Sequence, residues 1–227
     1  MSAESRRRAY LQALQIDVYA LRGAEPVEAI DAAPVAVDVP PADWDALRDA
    51  VIDCRRCALH ETRTQTVFGV GNPSADWMIV GEAPGQEEDR RGEPFVGRAG
   101  KLLDEMLLSL DLDRGSVFIA NILKCRPPNN RDPQAGEAAS CRSYLERQID
   151  LVAPRIIIAV GRIAAQHLLN TDEPIGRMRG KQHMLEDRQI PVVVTYHPAY
   201  LLRSPTQKRK VWQDLLMAQR MMDESNQ

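Results

Sequence analysis

Three polar side chains of different chemistry each follow an apolar run: Glu82 after Trp77-Met78-Ile79-Val80-Gly81, Asn121 after Val117-Phe118-Ile119-Ala120, and His197 after Val192-Val193-Val194-Thr195-Tyr196. A carboxylate, a carboxamide and an imidazole between them can accept, donate and transfer protons. The first run opens onto Gly81-Glu82-Ala83-Pro84-Gly85-Gln86-Glu87-Glu88-Asp89, which continues through Pro94-Phe95-Val96-Gly97 to Gly100-Lys101. A connection of some twenty residues is far longer than a strand-to-helix link needs. Its glycines allow backbone to approach a ligand, and Gly97 to Lys101 opens a helix whose N-terminus favours negative charge. The spacing is neither that of a Walker A loop nor that of a dinucleotide fingerprint. The acidic run Glu87-Glu88-Asp89 reads as a solvated face, and His60, His167 and His183 read as ordinary loop or surface histidines.

The four cysteines carry the second chemical signal. Cys54 and Cys57 form a C-x2-C pair, while Cys125 precedes Pro127-Pro128, and Cys141 shares an apolar helical face with Ala138, Leu145 and Ile149. In a cytosolic chain this pattern points to metal rather than to disulfides. Zinc and a [4Fe–4S] cluster both accept four thiolates, so spacing alone does not separate them. A closed four-thiolate site has no open coordination position, which gives it a structural role.

These residues need elements to position them. The pattern predicts a helix from Asp43 to Asp53 capped by Asp43, strand Trp77–Gly81, helix Ala99–Leu110 and strand Val117–Ala120. A helix from about Pro133 to Val152, strand Ile156–Val160, helix Arg162–Leu169, strand Val192–Thr195 and a last helix from about Pro205 to Met222 follow. Alternating β and α with β-branched strands implies a parallel sheet covered on both faces. Right-handed crossovers then gather the strand-end loops along one edge of the sheet. Residues 1–42 read as an appendage, with an amphipathic helix over 5–21 and a Pro/Ala-rich linker over 22–42, and residues 43–227 read as the folded domain. The appendage is a candidate tether for a protein partner.

The chain has 227 residues, 44% of them hydrophobic and 27% charged, and a formal net charge of −3. Such a composition suits a soluble globular protein with a core of ordinary size. It argues against coating by nucleic acid but permits a local basic face, with Lys124, Arg126, Arg131, Arg177, Arg179, Lys181, Arg203 and Lys208 to Lys210 as candidates. No apolar run is long enough to span a bilayer, and no apolar segment of signal-peptide type follows Arg6-Arg7-Arg8. The expected location is cytoplasmic, with no membrane association and a monomeric state.

Gly81-Glu82-Ala83-Pro84-Gly85, Gly92-x-Pro94-Phe95-Val96-Gly97, Asn121-x-x-Lys124-Cys125-Arg126-Pro127-Pro128 and His197-Pro198-Ala199 together resemble the signatures of family 4 uracil-DNA glycosylases. The resemblance runs from about Cys54 to the last helix and leaves out the first forty residues. It implies a three-layer α/β/α sandwich on a central four-stranded parallel sheet, and a [4Fe–4S] cluster, in preference to zinc, on Cys54, Cys57, Cys125 and Cys141. It also implies hydrolysis of the N-glycosidic bond of uracil in single- or double-stranded DNA, leaving an abasic site without strand cleavage. Gly81, Glu82, Ala83, Gly85, Phe95, Asn121 and His197 would contact the flipped base, with Glu82, Asn121 and His197 catalytic.

In that reading Phe95 stacks on uracil, Asn121 reads O4 and N3–H, and His197 donates to O2. The family 1 enzymes carry an aspartate where Ala83 stands and a tyrosine where Gly85 stands. Glu82, or one of Glu87 and Glu88, would therefore handle the water, and thymine must be excluded from elsewhere in the pocket. Leu201 is the expected wedge into the duplex, with Arg203 and Lys208 to Lys210 on phosphates. A relative that captures uracil-DNA through a histidine in a Lys-Arg-Arg-Ile-His loop is a poor match, because Pro127-Pro128-Asn129-Asn130-Arg131 stands there. The remaining rival is a non-catalytic nucleic-acid-binding module with a metal-stabilised fold.

Overall fold

The short apolar runs at Trp77, Val117, Ile156 and Val192 are rich in β-branched residues, and each forms a strand buried over most or all of its length. In the computed structural model, which describes residues 43–224, they are β2 (Trp77–Gly81), β3 (Val117–Asn121), β4 (Ile156–Val160) and β6 (Ile190–Thr195). β3, β2, β4 and β6 pair in parallel in that order. Two edge strands, β1 (Val70–Gly71) and β5 (Gln182–Leu185), pair antiparallel with β3 and β6. The sheet is thus six-stranded and mixed, in the order β1-β3-β2-β4-β6-β5, with an antiparallel strand added at each edge of the four parallel strands. β1 is only two residues long and β5 is poorly buried, so neither carries the hydrophobic signature by which a strand is recognised. The expected helix over 5–21 and linker over 22–42 lie outside the described residues.

Side chains alternate across each strand and so build two cores. Met78, Val80, Phe118, Ala120, Ile157, Ala159, Val192 and Val194 face one way. They pack with α1 (Trp44–Ile52), α4 (Ala135–Val152) and α5 (Arg162–Leu169). Trp77, Ile79, Val117, Ile119, Ile156, Ile158 and Val193 face the other way, against α3 (Arg98–Leu108) and α8 (Lys208–Glu224). Asp43 caps α1 as expected, its carboxylate accepting from the Asp45 N–H at 3.1 Å. Three short helices escaped the sequence reading: α2 (Gln86–Arg91) inside the long connection, α6 (Ile175–Met178), and α7 (Pro198–Arg203) directly after His197. Each is too short to show a helical period.

The pairing register sets Gly81 beside Asn121 at the carboxyl edge of the sheet. Beyond that edge β2 and β3 stay tied, because the Ile122 and Leu123 N–H groups donate to the carbonyls of Gly81 and Glu82. The end of β6 is fixed from below. Thr195 donates its hydroxyl to the fully buried Asp214 at 2.8 Å, and Arg179 grips the same carboxylate while covering the Tyr196 ring. A buried carboxylate survives there only because both oxygens are hydrogen-bonded and paired.

Candidate active site and thiol pocket

Phe95 is the most constrained residue of the long connection. Its φ of +55° lies in the left-handed region, which a bulky side chain rarely enters. The conformation is held from two sides. Arg114 donates to the carbonyls of Pro94 and Phe95 while its Nε pairs with Asp104 at 2.7 Å. Gly100, in the first turn of α3, lies so close to the Phe95 carbonyl that a β-carbon there would collide with it. The phenyl ring is thereby turned in over Gly81, where it and the Asn121 carboxamide fill the space a side chain would need. Gly81 is glycine for that reason.

Glu82, Ala83, Gly85, Phe95, Asn121, His197 and Arg203 line one cleft of about 440 Å³, together with Glu88, Ala99, Asn130, Ala199 and Tyr200. The imidazole of His197 lies nearly parallel to the Phe95 ring, with centroids 5.6 Å apart. Its Nδ1 accepts the Ala199 N–H at 3.1 Å, so the neutral ring carries its proton on Nε2. Burial, followed by the nearby Arg203 charge, lowers its pKa to about 4 against a weaker pull from Glu88. His197 is therefore a neutral donor at physiological pH. Asn121 is 2% exposed, and its Oδ1 is buried without a donor among the described residues. A buried acceptor left unpaired costs about 1–3 kcal/mol, a cost that an N–H brought to it would recover.

The acidic run divides by face. Glu87 alone is solvated in the expected way, pairing with Arg90 at 2.6 Å. Asp89 is buried and accepts from the N–H and hydroxyl of Thr64. Glu88 turns into the cleft, its Oε1 accepting from the Val96 and Gly97 N–H groups at 3.0 and 3.1 Å. Glu88 thus holds the two residues that lead into α3. Glu88 Oε2 stands 2.7 Å from where a β-carbon on Gly85 would lie. Glu82 is half-buried, and burial, then the Asp132 charge, raise its pKa to about 7 despite Arg162.

Leu201, the expected wedge, is 1% exposed and packed in the core between the sheet and α8, because α7 turns that face inward. The exposed leucine of the pair is Leu202, at 39%. Three expected members of the basic face are also engaged elsewhere, Arg179 among them on the buried Asp214. Lys124 is buried, and Arg131 is bound to Glu137 through both guanidinium nitrogens. Arg203 and Lys208 to Lys210 remain exposed. Glu88, Arg114 and Lys124 were legible only as charges, since their roles depend on contacts to backbone.

Cys54, Cys57, Cys125 and Cys141 line one enclosed pocket between α1, α4 and the strand-end loop after β3. All four are free thiols. Three of the sulfurs are offered a donor: the Leu59 N–H to Cys57, the Arg63 guanidinium to Cys125 at 3.1 Å, and the Lys124 N–H to Cys141, while the Tyr144 hydroxyl beside Cys54 donates to the Ala50 carbonyl at 3.3 Å. Such donors stabilise thiolate ligands. Burial meanwhile pushes the Cys141 thiol up to about 12 and raises Cys57 and Cys125, so the thiolate forms need a cationic centre. Among the described residues no three His, Cys, Asp or Glu side chains are grouped to hold a single metal ion.

The family model described as the uracil DNA glycosylase superfamily matches residues 68–216. A type-4 uracil-DNA glycosylase of Archaeoglobus fulgidus is 48% identical over 71% of this chain and 83% of its own. Those of Sulfurisphaera tokodaii and Pyrobaculum aerophilum are 43% and 44% identical, over 75% and 77% of this chain and 80% and 92% of theirs.

The His197 assignment predicts a ring that stays neutral, with its proton on Nε2, from pH 8 down to about 5. Nitrogen-resolved NMR of the imidazole through a pH titration measures this. Protonation near 6.5, the ordinary histidine value, would contradict it.

Proposed function

The chain belongs to the uracil-DNA glycosylase superfamily and groups with its type-4 enzymes, and from that premise we propose how its cleft reads and removes uracil. The reaction is hydrolysis of the N-glycosyl bond of uracil in DNA, which leaves an abasic site. The observation that carries the reading is the orphaned Oδ1 of Asn121, a residue that lines the same cleft as Phe95 and His197. Uracil brings the missing N–H at N3 and accepts at O4 from the Asn121 amide. Cytosine offers the reversed pattern and would leave both groups unpaired.

A base reaches this cleft only when turned out of the stack. Phe95 offers its flat face to the flipped ring. As the glycosidic bond breaks, charge grows on O2, and the His197 Nε2–H donates to it without a charge of its own to neutralise first. A preorganised donor of this kind contributes roughly 3–4 kcal/mol to the transition state. Glu82, with a pKa of about 7, is the carboxylate we assign to the attacking water and to the positive charge left on the sugar. Glu87 points away, and Glu88 is engaged by two backbone N–H groups. Glu88 instead fills the space over Gly85, and we assign it the exclusion of the thymine methyl. Leu202 replaces Leu201 as the side chain free to enter the duplex, with Arg203 beside it at the rim. The residues from 43 onward act as the catalytic domain, and the cytoplasm is its location in this reading.

For the thiol pocket we favour a [4Fe–4S] cluster. Four cysteines on one enclosed pocket, three of them with a donor to sulfur, suit an anionic four-thiolate cluster, whereas a zinc ion needs its sulfurs converging at about 2.3 Å from one point. When bound, the cluster would supply cross-linking of α1, the loop after β3 and α4. None of the catalytic contacts above passes through it.

Five outcomes test these assignments. An oligonucleotide with one uracil, incubated with excess protein and then treated with alkali, should break at that position. No alkali-labile site would favour a non-catalytic binding module. Asn121→Ala should slow single-turnover excision about 100-fold or more with the fold intact. The wild-type rate should rise with pH through about 7 as Glu82 loses its proton, while Glu82→Gln stays low and flat over that range. A wild-type profile without that rise would remove Glu82 from the role. Glu88→Ala should begin to release thymine from a G·T pair, Glu88→Gln should not, and continued strict rejection of thymine by a Glu88→Ala protein active on uracil would refute the exclusion role. Anaerobically purified protein should contain iron and acid-labile sulfide; stoichiometric zinc in their place would contradict the cluster.

A further inference from the structure

Lys124 is 1% exposed, an unusual position for an ammonium group. Its Nζ donates to the backbone carbonyl of Asn121 at 2.8 Å and to Gln148 Oε1 at 2.6 Å. Gln148, itself fully buried on α4, is fixed at its other end by donating to the Phe68 carbonyl at 2.9 Å. The backbone of Lys124 is held as well: its carbonyl accepts from Val67 at 2.8 Å and its N–H points to Cys141. The ammonium is therefore a fixed point, anchored to a helix and a loop on the far side of the sheet edge.

What it holds is the last residue of β3. Asn121 stands where the sheet ladder ends, and Lys124 reaches back three residues to close a turn over its carbonyl. That contact sets the backbone from which the Asn121 carboxamide projects into the cleft. A buried lysine amine aimed at two neutral acceptors is a costly way to make a turn, since an apolar residue would fill the space more cheaply. We propose that Lys124 is a positioning residue for the base-reading amide, acting through the Asn121 carbonyl; the proposal rests on the reading of Asn121 given above. Displacing a recognising group by about 1 Å can slow a reaction up to 100-fold, so a residue that touches no substrate can still govern the rate.

A double-mutant cycle between Lys124→Met and Asn121→Ala in the full chain separates positioning from mere support of the fold. Single-turnover uracil excision is the readout, with iron content and thermal unfolding followed alongside. Lys124→Met should slow excision about tenfold or more in the wild-type background. It should leave the rate of Asn121→Ala unchanged, because nothing remains to position. Lys124→Arg, which keeps a donor of similar reach, should restore part of the loss. Equal slowing in both backgrounds, with or without loss of iron, overturns the proposal, as does a wild-type rate in folded Lys124→Met. An Asn121→Ala protein of normal activity defeats the pocket reading itself and the proposal with it. If Lys124→Met does not fold, Gln148→Met removes the second anchor of the same ammonium and goes through the same cycle, with the same non-additivity expected.

Discussion

Asn121, at the cleft, carries a buried acceptor that the described part of the protein leaves without a donor, and most of the surrounding architecture serves to keep it so. Its position is set by register, since β3 ends one residue past its apolar run and lies beside Gly81. A side chain at Gly81 would displace it, and the Phe95 ring closes the same space from above. An unpaired carbonyl of this kind costs about 1–3 kcal/mol in the empty site, which a bound N–H would recover.

The cost of that arrangement is met at backbone level around the cleft. Phe95 sits in a left-handed conformation that Arg114 and the close approach of Gly100 enforce. His197 is kept neutral by burial and kept in one tautomer by the first turn of α7. Thr195, Asp214 and Arg179 fix the strand end from which it departs. Each recognising side chain thus has a separate support, and the supports come from both cores. This is preorganisation in a literal form: donors and rings are set before substrate arrives, so little reorganisation is left for the reaction itself.

The thiol pocket and the cleft share no lining residue but both draw on the segment from Asn121 to Cys125. Cys125 and Asn121 are four residues apart, and the intervening turn is tied to Gly81, Glu82 and α4. Holding those thiols in place holds the turn. A structural group there and a catalytic cleft here share one short segment, although no hydrogen bond of the cleft uses a sulfur.

The central strands were legible in the sequence because burial on both faces leaves unbroken β-branched runs, and Glu82, Asn121 and His197 were legible because they end those runs. Phe95 and the four cysteines stood out by type and by neighbours. The edge strands β1 and β5 were not legible, being short or half-exposed. Neither was the division of Glu87, Glu88 and Asp89 into three environments, since a turn and a half of helix decides it. Leu201 and Leu202 differ only in which side of α7 they occupy. The roles of Arg114 and Lys124 depend on carbonyl groups, which every residue has and no pattern marks. The central claim, that the orphaned Oδ1 awaits an N–H at the 3-position of a uracil ring, is tested most directly by calorimetric titration of the protein with free uracil and with 3-methyluracil. Uracil should bind measurably and 3-methyluracil should not; equal affinity for the two would contradict the account.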